Sequence, residues 1–527
     1  MRQVSINALF PCVSVLAVLL ASSPLCAQAK KPAPVEEDYY RLITFPLPKD
    51  VVMEVGGLDW LDSAKTRLLA CTRRGDLWVI DNPYADPPAL ADVPLTMKDD
   101  TGKTIQVPPD PNRSVRYKRM LFGLHEPLGL LTRPDGIYMA QRGELTRVRD
   151  TTGDDRINVV DTICDQWEIS GSYHEYAFGP KIDRDGNMWV TLNRPFGGGQ
   201  EATAYWRGWA VKIDPKGRML PVCPGLRSPA GLGTNAEGDM FYTDNQGDWV
   251  AVCKLGHLKQ GLFQGNPIGL ESCDHPLSPM KHPGKGFPKS GLMWPDAVRE
   301  MPWLVPPAVW FPYPEMGKSH SDILTDDTGG KFGPFEKQLF IGDQANAIIV
   351  RVFLEKVDGE YQGACFPFRK GFDSGVLRMC WGKDGSMFVG GTNRGWGGGP
   401  KPYCLQRLVW TGHTPFEVHE MRVTPNGFHV TFTRPVDPRT AGDVKAYDLR
   451  CWTYRYHANY GDSPQNVHPM TIQSATVGQD GQSVTLVVDK LKPYYVHELR
   501  LNGVRDRDDM PLLHPIGYYT LNRIPSQ

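Results

Sequence analysis

The sequence has no excess of charge of either sign. Its 527 residues include 58 Lys and Arg against 59 Asp and Glu, and the formal net charge is -1. Binding to nucleic acid depends largely on clustered positive charge, so this composition argues against a nucleic-acid partner. The length excludes a single small domain and indicates several domains or one large repeat architecture.

The chain also lacks an apolar run long enough to span a membrane. The longest candidate, residues 8–20, is about 13 residues long, whereas a spanning helix needs about 20. It follows Arg2 and precedes the small residues Ala27-Gln28-Ala29, which is the pattern of an export signal. Leu25 stands before Cys26 where a lipidation signal has a small side chain, which argues against a lipid anchor. We therefore predict a signal peptide at 1–28, a linker at 29–49 and a secreted or periplasmic protein.

Several sequence signatures of common chemistries are missing. Nine cysteines follow the signal segment and none forms a C-x-x-C pair, which argues against a disulfide scaffold and against a zinc site built on thiolates. No G-x-S-x-G elbow, P-loop or dinucleotide fingerprint occurs. Nicotinamide and nucleoside-triphosphate chemistry are therefore not expected.

What the chain does have is a repeated strand pattern, rich in turn residues. Six segments share a short apolar-aromatic strand, and five of them follow a turn glycine: Asp76–Val79, Ile137–Ala140, Asn187–Val190, Asp239–Tyr242, Gln338–Ile341 and Ser386–Val389. Their aromatic residues are spaced by 60, 51, 52, 99 and 48 positions. Spacings near 50 fit four-stranded blades, and the long gap fits a loop insertion near 256–318. The pattern predicts a six-bladed β-propeller over residues 50–412.

The repeat stops after Trp410. Residues 413–527 contain seven short alternating runs separated by turn residues, a pattern typical of an immunoglobulin-like β-sandwich. The predicted fold class is thus all-β, a six-bladed β-propeller with a C-terminal immunoglobulin-like β-sandwich. A protein partner, if there is one, would bind through this sandwich.

Polar residues occupy equivalent positions at the ends of the repeated strands. His125, His174 and His320 precede the aromatic strands of three of the repeats. The residues that follow the aromatic strands are Arg142, Asn193, Arg194, Asp244, Gln246, Asp343 and Arg394. Equivalent repeat positions converge around the axis of a propeller, so we expect these side chains on one face of the central channel. Taken singly, each could instead close a turn and satisfy backbone groups.

The repeats resemble the soluble glucose/sorbosone dehydrogenase type of six-bladed propeller, which uses pyrroloquinoline quinone. The resemblance covers roughly residues 50–412 and is carried by Pro127–Leu130, Arg133–Tyr138, and His174 ahead of Phe178-Gly179-Pro180. The whole chain is also similar to secreted planctomycete-type proteins that pair such a propeller with a C-terminal sandwich. Shared stretches are Tyr173–Pro180 and Phe241–Gly247.

The resemblance implies an oxidoreductase that acts on a sugar or related alcohol, with His174 as the general base. The implied quinone carboxylates would be held by Arg142, Arg194 and Arg394 with Asn193 and Asp343, since a guanidinium can bind a carboxylate in two places. The substrate would contact His125, His320, Asp244 and Gln246. The family's quinone-binding Lys and Arg positions have no one-to-one match in this sequence.

Calcium is a second cofactor that the sequence suggests. Asp150, Asp154 and Asp161 stand at the first, fifth and twelfth positions of a calcium-loop pattern. The sixth position is Asp155 where such a loop has glycine, and a polar hairpin loop is the alternative interpretation.

Two other functions stay open. The propeller could be a non-catalytic module that binds a glycan or a protein partner, or a carbohydrate lyase or hydrolase that uses the same face. Propellers carry out many functions, so the fold alone does not decide between them.

Overall fold

The computed structural model describes residues 33–91, 95–98, 101–108, 110, 112–195, 204–284, 286–393 and 397–526. The signal peptide predicted at 1–28 and the predicted site residue Arg394 lie outside these ranges. The described part is mostly β, as predicted, with short helices α1 (Trp294–Glu300) and α2 (Pro438–Ala441). None of its helices has the length and apolar character that crossing a membrane requires.

The strands are short throughout. Up to residue 192 they are β1 (Tyr40–Thr44), β2 (Val55–Trp60), β3 (Arg67–Thr72), β4 (Leu77–Asp81), β5 (Ala89–Leu90), β6 (Leu95–Lys98), β7 (Thr104–Val107), β8 (Ser114–Leu121), β9 (Leu131–Arg133), β10 (Gly136–Ala140), β11 (Leu145–Arg149), β12 (Val159–Cys164), β13 (Ala177–Ile182) and β14 (Met188–Leu192). From there to residue 410 they are β15 (Trp209–Ile213), β16 (Met219–Pro224), β17 (Gly231–Thr234), β18 (Met240–Asp244), β19 (Lys254–His257), β20 (Leu292–Met293), β21 (Val309–Trp310), β22 (His320–Thr325), β23 (Leu339–Asp343), β24 (Ile348–Val357), β25 (Glu360–Arg369), β26 (Val376–Trp381), β27 (Met387–Thr392) and β28 (Tyr403–Trp410).

The C-terminal strands are β29 (Val418–Thr424), β30 (Gly427–Phe432), β31 (Asp448–Thr453), β32 (Arg455–Tyr456), β33 (Gln465–Met470), β34 (Ile472–Val477), β35 (Ser483–Val488), β36 (Tyr495–Arg500) and β37 (Ile516–Leu521). Single 3₁₀ turns lie at Glu36–Asp38, Leu270–Asp274 and Val444–Ala446.

Within the described residues, the strands up to β28 build six four-stranded antiparallel arrays around one axis. The arrays are β2–β3–β4–β8, β9–β10–β11–β12, β13–β14–β15–β16, β17–β18–β19–β21, β22–β23–β24–β25 and β26–β27–β28–β1. Their first strands contact one another in that order, and β26 contacts β2, so the ring is closed. This is the arrangement of a β-propeller.

The N-terminus closes the ring. β1 pairs with β28 at the outer edge of the last array, with Tyr40 opposite Trp410. The last array therefore combines strands from both ends of the ring-forming segment, and removing β1 would expose the edge of β28.

Tight turns explain why the repeats form hairpins. Three of the turns carry an Asp or Asn whose side-chain oxygen accepts the amide four residues later at 2.9 Å, namely Asp183 to Asn187, Asp214 to Arg218 and Asn235 to Asp239. The glycine within each turn, Gly186, Gly217 or Gly238, has a φ of +80° to +83°. A Cβ is strained in that backbone region, which is why the turns use glycine.

The first of the six predicted repeat segments lies on a different strand of its array from the other five. Asp76–Val79 falls on β4, the third strand of its array, whereas the other five segments fall on the second strands β10, β14, β18, β23 and β27. The second strand of the first array is β3, and the turn before it is closed by Asp62, which accepts the amide of Thr66 at 3.1 Å. This turn contains no glycine, so the sequence pattern based on turn glycines does not identify β3.

The C-terminal strands form two sheets that share one core. One is β29–β30–β35–β34, and the other, β25–β37–β36–β31–β33, continues the array of β22–β25 into a sheet of eight strands. Phe428 and Leu486 from the first sheet and Leu499 and Tyr519 from the second are buried in this core. The β25–β37 pairing places Cys365 opposite Tyr518. Residues Pro34–Gln527 accordingly form one compact unit.

The insertion predicted between the fourth and fifth repeats connects β19 with β21. It contains the 3₁₀ turn Leu270–Asp274, β20 and α1, and β20 pairs with β32 of the C-terminal region. The insertion thus ties the ring to the C-terminal strands from a second direction.

Candidate functional site

Polar residues gather where the first strand of each array begins and the second strand ends. In two arrays the last residue of the second strand binds amides just before the first strand of the same array. Asp244 accepts the amides of Arg227 at 3.0 Å and Ser228 at 2.6 Å, and Asp343 accepts those of Lys318 at 2.8 Å and Ser319 at 2.6 Å. These hydrogen bonds join the end of a second strand to the start of the first strand in the same array. We call the axial opening between these strand ends the channel mouth.

Three of the predicted site residues are corrected by this geometry. Asp244, Asp343 and His320 are each 0% exposed. The two carboxylates serve backbone amides, and the His320 ring stacks on Phe311 with ring centres 4.0 Å apart. Burial raises the pKa of Asp244 and lowers that of His320. A substrate or cofactor has no surface of these side chains to contact, and their role is structural.

His174 lies at the mouth, half-buried, on a loop that buried groups hold in place. Glu175 is fully buried and accepts the amides of Ser170 at 2.8 Å and Ser172 at 3.2 Å. Arg207, also fully buried, donates to the carbonyls of Glu175 at 3.0 Å and Tyr176 at 2.9 Å. The loop is therefore fixed from both sides.

Arg207 also connects this loop to the neighbouring array. Its Nη2 donates to the carbonyl of Arg142 at 2.8 Å, which also accepts the indole N–H of Trp167 at 2.9 Å. Burial lowers the pKa of Arg207 to about 10, but the group still carries a proton at neutral pH. One buried guanidinium thus sets the positions of both His174 and Arg142.

Three arginines surround His174, and we call Arg142, Arg194 and Arg227 the guanidinium cluster. Arg142 donates to Glu126 at 2.9 Å and to the carbonyl of Ser172 at 3.1 Å. Arg194 and Arg227 share Asp248, with 2.9 Å between Arg227 Nε and Asp248 Oδ1. The three guanidiniums of the cluster thus pair directly with two carboxylates, those of Glu126 and Asp248.

Burial and the guanidinium cluster both act on the pKa of His174. Burial, followed by the positive charges of Arg227, Arg142 and Arg194, lowers the pKa of His174 below its ordinary value of 6.5. A neutral imidazole can accept a proton at neutral pH, and nearby guanidiniums can stabilise the anion that proton removal creates.

Gly247 is required for the position of Arg227. A Cβ at Gly247 would lie 1.8 Å from Arg227 Nε and 1.9 Å from its Cζ. The Arg227 guanidinium therefore occupies space that is open only because residue 247 has no side chain. The repeat pattern of the sequence does not reveal this contact.

The C-terminal region also reaches the mouth. Residues 457–462 run along 247–251, with the Gly461 amide donating to the Gly247 carbonyl at 2.9 Å and the Trp249 amide to the His457 carbonyl at 3.0 Å. Tyr460 bridges to Asp248 and places its ring 5.4 Å from the Arg227 guanidinium. The C-terminal region therefore contributes a side chain beside the guanidinium cluster.

Below the mouth the channel is filled. Arg378 on β26 donates to the carbonyls of Gly56 at 2.9 Å, Leu128 at 3.0 Å and Ala230 at 3.1 Å, each from a different array. The space left among the lining residues is about 10 Å³. Ligand binding at the axis is thus confined to the mouth.

The remaining predicted residues lie in different surroundings. His125 is exposed, and its amide donates to the Gln141 side chain. Asn193 is buried and donates to the His174 carbonyl, which holds the backbone of His174 in place. Gln246 donates to the Ala251 carbonyl at 3.1 Å and faces a separate cavity beside Tyr460.

The calcium ligands predicted from sequence do not assemble. Asp150 accepts the amides of Thr152, Gly153 and Asp155 in a surface turn. Asp161 is on β12 and binds Arg147 at 2.9 Å and Arg149 at 3.1 Å. In the described part of the chain, no group of three or more His, Cys, Asp or Glu side chains is arranged to hold a metal ion. The polar hairpin interpretation accounts for these residues.

The guanidinium cluster suits a ligand that carries carboxylates, because a guanidinium can bind a carboxylate in two places. The carboxylates of pyrroloquinoline quinone are of this kind. Asn193 Oδ1, Asn245 Oδ1 and Ser374 Oγ have no hydrogen-bond partner among the described residues, but all three atoms are buried and offer no surface to a ligand.

Sequence reasoning found His174, Arg142 and Arg194 but missed Arg227, Asp248, Arg207 and Tyr460. Arg227 and Asp248 do not directly flank the aromatic strands, so the repeat pattern does not single them out. Arg207 and Tyr460 carry no local signal, because only the folded chain brings them to the mouth.

Comparison with known proteins finds similar solved structures but no matching family. No protein-family model matches the chain, and no curated protein sequence matches it. Similar solved structures include a quinone-bound aldose sugar dehydrogenase from Streptomyces coelicolor, 12% identical with a TM-score of 0.43, which covers 70% of this chain and 98% of that one. The quinone domain of a pyranose dehydrogenase from Coprinopsis cinerea is 11% identical with a TM-score of 0.43, covering 72% and 98%.

A third similar structure is a carbohydrate-active enzyme of family AA12 from Trichoderma reesei, 12% identical with a TM-score of 0.46, covering 72% of this chain and 98% of that one. At such identities and TM-scores these three structures do not assign an activity to this chain.

Proposed function

We propose that the chain is an exported oxidoreductase that oxidises a sugar or related alcohol with a bound quinone, and that His174 is its general base. The proposal includes a six-bladed propeller over residues 50–412 and an immunoglobulin-like sandwich over 413–527. The ring of six arrays and the shared core of the two C-terminal sheets support this division.

One observation carries the functional proposal. The guanidinium cluster surrounds a half-buried histidine and lowers its pKa, although each arginine is itself held by a carboxylate or a carbonyl. A histidine placed only for packing has no need of three cations around it. Burial and specific charge partners of this kind are typical of catalytic bases.

The chain's own residues would divide the work as follows. Arg142 and Arg194 would hold carboxylates of the quinone, and Asn193 would hold the His174 carbonyl in place. His174 would accept the proton of the hydroxyl group to be oxidised. Pyrroloquinoline quinone, when bound, supplies a carbonyl that accepts the hydride from the same carbon, so that the alcohol leaves as a carbonyl compound.

The pH dependence has a defined sign. Because the pKa of His174 is lowered, the imidazole is in its basic form at neutral pH and becomes protonated only at acidic pH. The rate should therefore be constant near neutral pH and fall as the pH drops below about 6.5, the ordinary histidine value.

The test is reconstitution of the purified protein with pyrroloquinoline quinone, with and without Ca²⁺, followed by a sugar screen with an acceptor dye. His174→Gln should reduce turnover by about 10² to 10⁴ and leave the unfolding midpoint unchanged. His413→Gln, an exposed histidine away from the mouth, is the matched control.

Two results would contradict the proposal. If the wild type neither binds the quinone nor oxidises any sugar, the oxidoreductase function is wrong. If His174→Gln keeps full turnover per folded molecule, the base is another group.

A further inference from the structure

A second cavity lies beside the mouth, on the far side of Tyr460. It has a volume of about 640 Å³ and is bounded by Gln246 and Tyr460 toward the mouth and by β31, β36 and β37 of the C-terminal region. That volume is within the range of about 300–1,000 Å³ that small-molecule sites occupy. None of the residues predicted as catalytic lines this cavity.

Aromatic rings form much of the cavity wall. Trp452, Tyr454 and Tyr518 are buried in it, whereas Tyr313 and Tyr460 are 43% and 69% exposed at its edge. The indole N–H of Trp452 is buried and has no hydrogen-bond partner among the described residues. Since that donor is covered, the exposed rings of Tyr313 and Tyr460 are the aromatic surface that a ligand in the cavity can contact.

The charged residues of the wall are arranged in layers. Glu498 is 3% exposed and binds both Arg450 at 2.8 Å and Arg500 at 2.7 Å, whereas these two guanidiniums are 46% and 40% exposed. The alternation of β36 places Glu498 and Arg500 on one face, and Arg450 is opposite Glu498 on β31.

Asp462 and Arg455 likewise combine a covered carboxylate with an exposed guanidinium. Asp462 is 2% exposed and binds Arg455, which is 46% exposed, at 2.9 Å. Glu315 lies exposed at the rim, so the formal charges of the lining balance. The carboxylates of both pairs are covered, however, and their arginines are the groups that face a ligand.

We propose that this cavity binds an acidic carbohydrate, with Arg450, Arg455 and Arg500 contacting its carboxylate or sulfate groups. Aromatic faces match the apolar faces of sugar rings, and guanidiniums bind planar carboxylates in two places. Tyr460 lines the cavity and also covers Arg227, so a chain longer than one sugar would run from the cavity past Tyr460 to the mouth. The binding site itself does not depend on the proposed oxidation.

The experiment measures binding without quinone and without turnover. Wild-type protein is titrated calorimetrically with three oligosaccharides of equal length, one built from uronic acids, one sulfated and one neutral. Saturable binding of an acidic oligosaccharide, at least tenfold tighter than the neutral one, is expected, and comparing the two acidic ligands identifies the anionic group.

Two variants locate the site. Arg500→Gln removes one exposed guanidinium but leaves Glu498 paired with Arg450, so the fold is retained. Tyr460→Ala removes an exposed ring whose backbone bridge to Asp248 persists. Each should weaken acidic binding about tenfold, and the exposed Arg439→Gln on α2 should not change it.

The proposal is overturned if neither acidic ligand binds, if the neutral ligand binds equally well, or if both variants bind like the wild type. His174→Gln should bind the acidic ligand normally. Loss of turnover in that variant with binding intact separates the two proposals, because each can fail while the other stands.

Discussion

At the scale of single residues, buried arginines connect parts of the chain that are distant in sequence. Arg378 joins four arrays at the axis, since it donates to its own neighbour Leu377 as well as to three other arrays. Burial lowers the pKa of Arg378, and Asp322 acts in the opposite direction. Each carbonyl it serves is buried and would lose its partner if the guanidinium were removed.

Replacing Arg378 by Met should destabilise the protein strongly. The change keeps much of the side-chain volume but leaves several buried carbonyls unsatisfied, and we expect a loss of at least about 3 kcal/mol in the free energy of unfolding. Urea unfolding measures it, with the exposed Arg439→Met as control. A loss below about 1 kcal/mol would mean that the carbonyls find other partners.

At the scale of elements, the strands were easier to predict than the loops between them. Five of the six repeat segments fall on second strands, because a strand bounded by a turn glycine is a local pattern. The segment Asp76–Val79 is not equivalent to the other five, because it lies on the third strand of its array and the turn before β3 is closed by Asp62 rather than by glycine. The loop that carries His174 has its shape from Glu175, the next residue in the chain, and from Arg207, which follows 33 positions after His174.

Replacing Arg207 by Met tests this loop as a positioning element. Arg207 contacts carbonyls only, so it acts through His174 and Arg142, and small displacements of a catalytic group can lower the rate about 10²-fold. We expect a lower kcat with a smaller change in KM, and faster amide hydrogen exchange over residues 168–176. Normal exchange together with normal kcat would show that the loop holds its shape without Arg207.

At the scale of the whole molecule, both chain ends of the described part are tied to the ring. His514 lies between Glu417 and Glu36, with Nδ1–Oε1 and Nε2–Oε1 distances of 2.6 and 3.0 Å. Arg369 of β25 also pairs with Glu36, at 3.3 Å. The segment before β1 is thereby fixed to the C-terminal region, next to the strand that closes the ring.

We call the contacts of His514 with Glu417 and Glu36 the clasp, and they make the free energy of unfolding depend on pH. Burial alone would lower the pKa of His514, but Glu417 and Glu36 raise it to about 9. A folded-state pKa above the unfolded value of about 6.5 gives stability that is fully present below pH 6.5 and lost as the pH rises through 9. The contribution is on the order of 3 kcal/mol.

The measurement is urea unfolding of wild type and His514→Gln between pH 6 and pH 10. The wild type should lose stability over this range relative to the variant, which lacks the titrating group. Parallel curves for the two proteins would show that the clasp does not titrate there.

The sequence alone was sufficient for the all-β class, the repeat and the polar character of the strand ends, because alternation, turn glycines and spacing are properties of neighbouring residues. It also pointed to His174, Arg142 and Arg194, whose positions follow from repeat equivalence. It could not distinguish His320 and Asp343 from His174, since equivalent repeat positions look alike until burial separates them.

Only the tertiary structure decided which side chains meet a ligand. The neighbouring array brings Arg227 close to His174, and the C-terminal region brings Tyr460 close to Arg227. Arg207 reaches the mouth through a buried hydrogen bond to the Arg142 carbonyl. These contacts join residues separated by 32 to 233 positions, as in the pairs Arg207–Glu175 and Arg227–Tyr460. Local propensity acts over a few residues, so contacts at such separations depend on packing of the complete ring against the C-terminal sheets.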